Sequence, residues 1–151
     1  MGTISRIIED VPVTPEIDAT FNKIKTALKA PFTPHFFRVW AASPESLKGI
    51  LPVMNHILTC GRVGRRLKEM IFVAISSLKS CHYCEAAHHA FCLNIGVSPA
   101  QIKSLIEYHT IEEADGAQDK AAIDFAVRLA KDSHASTEQD IQTLKGHGFD
   151  E

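Results

Sequence analysis

The sequence predicts an all-α, single-domain helical bundle with a CxxC at the N-terminus of a central helix. Apolar residues recur three and four apart along most of the chain, and Ser or Thr followed by proline opens several of these segments. No stretch gives a convincing strand pattern. At 151 residues the chain is about one domain long, 1–151, and a domain of that size can bury a core sufficient to hold it together without staples. A formal net charge of -2 gives no field for holding a polyanion, so nucleic acid is not an expected partner.

Met1-Gly2-Thr3-Ile4-Ser5-Arg6 starts like a myristoylation site, but Arg6 stands where Ser or Thr is wanted, and no apolar signal core follows. No apolar run approaches the length of a membrane span. The expectation is a cytoplasmic protein with no membrane partner. In that reducing compartment a close cysteine pair points to catalysis or metal binding rather than to a structural bridge.

The elements follow in order. Thr14-Pro15 caps a first helix on which Ile17, Phe21, Ile24 and Leu28 share a face, and Ala30-Pro31 ends it. Thr33-Pro34 begins a short helical segment whose Phe36, Phe37, Val39 and Trp40 are expected to fill the core. Ser43-Pro44 opens a core helix striped by Leu47, Ile50, Leu51, Met54, Ile57 and Leu58. Gly61 and Gly64 punctuate a basic loop with Arg62, Arg65 and Arg66, read as solvated turn chemistry. The next helix carries Leu67, Met70, Ile71, Ala74, Ile75 and Leu78 on one face and Phe72 and Val73 on others, so it should be buried nearly all round.

Ser80 is the expected cap of the following helix, which holds Cys81, Cys84, His88 and Cys92 and closes at Gly96. Ser98-Pro99-Ala100-Gln101 reads as a capping box for a helix lined by Ile102, Leu105 and Ile106. Beyond a polar connector at Asp115 and Gly116, Ile123, Ala126, Val127 and Ala130 mark another helix. Ser136 with Gln139 opens the last, which Gly146 stops. The count is about seven helices.

Cys81-His82-Tyr83-Cys84 places two thiols one helical turn apart, close enough to close a disulfide. Cys81, Cys84, His88 and Cys92 fall along one stripe of their helix, which brings His88 within reach of Cys84 and turns His89 elsewhere. The thiolate is the nucleophile, and a helix N-terminus, a histidine or another proton acceptor can supply it. Glu69, amid Met70, Ile71, Phe72 and Val73, is costly to bury without a partner or a purpose, and a sequestered carboxyl suits proton transfer. Alternatively Glu69 lies on an exposed edge beside Lys68 and Arg65. The cysteine pair has two rival readings: a pair of small buried hydrophobes, or three zinc ligands with His88, with His134 or another histidine as fourth. Cys60 and Cys92 read as packing residues.

Glu69, then eleven residues, then Cys81-His82-Tyr83-Cys84-Glu85-Ala86-Ala87-His88 resembles the alkylhydroperoxidase D and carboxymuconolactone decarboxylase family. The resemblance extends over about residues 15–149, through the Ser43-Pro44 helix, Ser98-Pro99-Ala100-Gln101 and Lys131-Asp132-Ser133-His134. It implies an all-helical fold, assembly as a homotrimer or homohexamer, and a disulfide-cycling peroxidase in antioxidant defence. By that resemblance Cys84 attacks the hydroperoxide, Cys81 resolves the sulfenic acid, and Glu69 and His88 relay the proton away. A thiol reductant, such as a lipoyl protein, recharges the pair, and no cofactor is called for. Tyr83 departs from the best-known peroxidase pattern, which has histidine before the second cysteine; here the histidine is His82. Relatives continue past the position of Glu151 into another helix, which predicts a shortened product or an altered assembly. The competing functions are a decarboxylase-type lyase, which has no need of paired thiols, and a non-enzymatic redox-sensing or zinc-binding module.

Overall fold

The computed structural model describes residues 12–28 and 30–150. The Met1–Arg6 stretch, with its near-match to a lipidation site, lies outside them. The described residues hold eight α-helices and no strand: α1 (Pro15–Leu28), α2 (His35–Trp40), α3 (Pro44–Thr59), α4 (Arg65–Leu78), α5 (His82–Asn94), α6 (Pro99–Tyr108), α7 (Ala117–Lys131) and α8 (Glu138–Gly146). Single 3-10 turns at Glu113–Asp115 and Ser133–Ala135 punctuate the second half. None of the described helices is long and apolar enough to cross a membrane. Two compact units result, Met1–Leu58 and Thr59–Glu151.

The first unit is built on α1. The Ile17 N–H donates to Thr14 Oγ1 at 3.3 Å, so Thr14 caps the helix as its sequence predicts. Ile17, Phe21 and Ile24 then share the buried face and pack with Ala41 and Leu47. The aromatic segment differs from expectation. Phe36 and Trp40 are each 36% exposed and only Phe37 packs on this core, because a helix of six residues has one inner edge and cannot turn four large side chains inward. The α3 stripe is likewise half covered: Leu47 is buried, Leu51 packs against it, and Ile57 stands exposed.

The second unit centres on α4. No residue from Arg65 to Leu78 is exposed, which bears out the all-round burial read from its apolar faces. It packs against α5, α6 and α7, and Met70, Val73, Leu105, Ile123 and Cys92 meet in one core. Arg65 and Arg66 belong to the first turn of this helix rather than to the Gly61–Gly64 loop, and neither is a solvated turn residue. Arg66 donates to Asp119 at 2.6 Å and to Gln101 at 3.2 Å, tying α4 to α7 and α6. Gln101 also closes the capping box with Ser98, as its spacing predicts. At α8 the cap falls one residue later than expected: Thr137, not Ser136, begins it. The Asp140 carboxylate, not Gln139, accepts from the Thr137 N–H at 2.8 Å, a bond that holds this carboxyl below the usual carboxylate range. Gly146 is the last helical residue, and the chain turns at Gly148, where φ is +88°.

The junction between α4 and α5 sets the geometry of the cysteines. Ser80 does not cap α5. It lies past the end of α4 with φ of 54°, the left-handed conformation that ends many helices. The Ser80 N–H donates to the Ser77 carbonyl and the Cys81 N–H to the Ser76 carbonyl, each at 2.9 Å, so two of the carbonyls left over at the end of α4 find donors. Cys81 is therefore at once the end of one helix's cap and the N-cap of the next. At the far end of α5, Gly96 takes φ of +84° and closes the same kind of motif, with Val97 donating to Cys92.

A left-handed residue with a Cβ is strained by roughly 1–2 kcal/mol relative to its right-handed form. Ser80→Gly should therefore raise the unfolding free energy by about 1 kcal/mol, while Ser80→Ala should not. Urea denaturation of the two variants checks this, and equal midpoints would count against strain at this junction.

Candidate functional site

Glu69 and His88 come together, with His88 one turn beyond Cys84, because α4 and α5 pack against each other about the junction at Ser80. Cys81 and Cys84 are joined in a disulfide with Cα atoms 5.4 Å apart, well within the span such a bond requires. Cys81 caps α5 and Cys84 is its third residue. The N–H groups of the first helical turn, those of His82, Tyr83 and Cys84, have no acceptor within the helix and favour negative charge nearby. Both sulfurs thus belong to the electropositive end of the helix.

Glu69 has no solvent exposure, which excludes the exposed-edge reading. Its Oε2 lies 2.6 Å from His88 Nδ1, and its Oε1 accepts from Arg65 Nε at 3.2 Å. A carboxylate has no proton to give, so against the ionised acid Nδ1 is the donor and Nε2 is left as the imidazole's acceptor. His88 sits one turn beyond Cys84 on α5, and its ring stacks on Phe72 with centroids 4.2 Å apart and planes 6° from parallel. The Arg65 guanidinium lies 5.6 Å above the Phe91 ring, a cation–π arrangement that spans α4 and α5. Among the described residues no buried side-chain polar atom lacks a hydrogen-bond partner.

The four residues marked in the sequence, Glu69, Cys81, Cys84 and His88, thus share one helical hairpin. Arg65, Phe72 and Phe91 were missed. The four-residue spacing from Arg65 to Glu69 was the available signal, since side chains so spaced on a helix are neighbours. Nothing in the sequence announced Phe72 as the stacking partner of His88.

Cys92 continues the α5 stripe into the core, where it is fully buried. Burial first, and the nearby Glu69 charge second, push its thiol up to about 12. Cys60, expected to pack, is instead exposed, because it follows the end of α3 where no element covers it. As for zinc, among the described residues no group of three or more His, Cys, Asp or Glu side chains is placed to hold a metal ion. A cavity of about 730 Å³, lined in part by Arg62, Arg66, Asp119 and Phe149, includes none of the four residues.

An all-helical domain that presents a disulfide at a helix start, beside a buried carboxylate–imidazole pair, is a dithiol protein of the alkylhydroperoxidase D type in its architecture. The chain belongs to the carboxymuconolactone decarboxylase family, whose profile matches residues 44–132, more than half of its length. Its fold is similar to that of an uncharacterized peroxidase-related protein from Silicibacter sp. TM1040, with a TM-score of 0.79 and 25% identity over 94% of this chain and 75% of that one. It is also similar to an alkylhydroperoxidase AhpD core, an uncharacterized peroxidase-related protein from Ralstonia eutropha JMP134, with a TM-score of 0.76 and 26% identity over 95% and 73% of the two chains. No curated protein sequence matches the chain.

The free cysteines should separate cleanly by reactivity. At pH 8 a thiol that titrates near 12 is ionised to only roughly one part in ten thousand, and burial hinders it further. Treating the oxidised native protein with a thiol reagent should label Cys60 at once and Cys92 only on unfolding. Two fast thiols in the native state would contradict the buried position of Cys92.

Proposed function

We propose that the chain is a thiol-dependent peroxidase that reduces alkyl hydroperoxides through a Cys81–Cys84 disulfide cycle. The observation that carries this reading is a disulfide at the start of α5 with the Glu69–His88 pair one turn further along. Cys84 gives its proton to the His88–Glu69 pair and attacks the terminal oxygen of the hydroperoxide. The O–O bond breaks, the alcohol leaves with a proton, and Cys84 becomes a sulfenic acid. Cys81 then attacks the Cys84 sulfur, the S–S bond forms, and water departs. Two thiols are oxidised and one hydroperoxide is reduced to alcohol and water. A dithiol donor, such as a lipoyl group, restores the reduced pair by exchange. We further propose a cytoplasmic homotrimer or homohexamer in antioxidant defence; light scattering on the purified protein tests the assembly.

The decarboxylase-type reading draws on the family to which the chain belongs. Glu69 and His88 could serve proton transfer on a lactone, but that chemistry leaves the paired cysteines without a task. The peroxidase reading uses all four groups and is supported by two peroxidase-related structural neighbours.

Mixing reduced protein with an alkyl hydroperoxide in a stopped-flow instrument should oxidise one equivalent of dithiol per equivalent of alcohol formed. Mass spectrometry should then find the Cys81–Cys84 bridge. Loss of both thiols without that bridge would defeat the proposal. Cys81→Ser should halt the cycle at a Cys84 sulfenic acid that a sulfenate-selective probe captures. Glu69→Gln should slow the peroxide step about a hundredfold with the helical fold intact. An undiminished rate would remove Glu69 from the mechanism.

A further inference from the structure

Two groups of unlike character answer the charge of Glu69. His88 is a cation only when protonated, whereas Arg65 is a cation at every pH the protein meets. A proton acceptor of the kind proposed above must pass through the state in which His88 is neutral. In that state Arg65 is the remaining counter-charge in contact with a carboxylate that has no solvent exposure. A buried carboxylate without counter-charge takes up a proton instead.

We infer that Arg65 is a positioning residue of the dithiol site, holding the Glu69–His88 pair in its proton-accepting form at neutral pH. Three features carry the inference. Arg65 Nε meets Glu69 Oε1 at 3.2 Å, which leaves Oε2 directed at His88 Nδ1. The guanidinium is itself held at 5.6 Å over Phe91, on the same helix as His88 and two turns beyond Cys84. Its side chain is 35% exposed, so the charge stays hydrated on one side while it faces a fully buried partner on the other.

The surrounding groups define the sign. Glu69 is faced by Arg65 from its own helix and by His88 from α5. Cys92 also lies within its electrostatic reach, but that thiol titrates near 12 and stays neutral throughout the relevant range. Arg66 is turned toward Asp119 of α7 and Gln101 of α6, and among the described residues neither helix sets an ionised group against Glu69. Removing the Arg65 charge therefore increases the affinity of the coupled pair for its proton, whichever partner carries it.

The kinetic arm of the test rests on the peroxidase reading; the spectroscopic arm does not. In Arg65→Met, NMR titration of the His88 ring should show the pair keeping its proton to a pH about one unit higher than in the wild type. The acidic limb of the peroxide-reduction profile should move up by the same interval, with rates on that limb about tenfold lower and the plateau retained. Arg65→Lys should bring both curves back toward the wild type. A purely structural role would lower the melting temperature or the plateau without moving the limb. A His88 titration in Arg65→Met that superposes on the wild type overturns the inference. If the wild type does not reduce hydroperoxides, the peroxidase reading falls, and the His88 titration still decides the role of Arg65.

Discussion

A carboxylate removed from water is tolerated only where other groups replace its hydration, and much of the second unit is arranged around the one at Glu69. Both of its oxygens are engaged, one by the imidazole of α5 and one by the guanidinium a turn earlier on α4. These bonds limit how α5 can rotate against α4, because a turn of either helix about its axis would strand the charge. With the helices so held, Phe72 meets the His88 ring face to face, and the outer nitrogen of that ring is left to serve as the acceptor.

The junction at Ser80 delivers the thiols to the same place. Its left-handed turn ends α4 and starts α5 within three residues, so Cys81 both completes one helix's cap and begins the next. Short connections of this kind leave little freedom. The disulfide at the start of α5 and the imidazole one turn on are set by one backbone feature and one buried carboxylate. Cys92, only two turns further along the same helix, shows how local the effect is. There the core surrounds the sulfur and its thiol is held neutral.

The chain also shows where helical pattern stops being informative. Periodicity names a face that could be covered, but coverage depends on what else packs there. The α4 stripe is covered on every side, whereas Ile57, Phe36 and Trp40 keep a third or more of their surface exposed. The same limit applies to single residues: Cys60 and Cys92 look alike as isolated cysteines, yet one is exposed and the other lies at the centre of the core.

By itself the sequence determined the helical class, nearly all helix positions, and the placing of Glu69, Cys81, Cys84 and His88 on two successive helices. These depend on local periodicity, capping chemistry and spacing along one or two adjacent helices, all of which are short-range properties. Caps whose partners lie three residues away were legible, as at Ser98 and Gln101. The transfer of the α5 cap from Ser80 to Cys81 was not, because it depends on how the preceding helix ends. The Arg65–Glu69 contact follows a four-residue spacing within one helix, but tertiary structure alone decided that Phe72 meets the His88 ring, that Arg65 lies over Phe91, and that Arg66 ties three helices together. Those roles come from the angle at which helices pack, and one-dimensional spacing carries no record of that angle until the buried charges and ring faces are brought into contact.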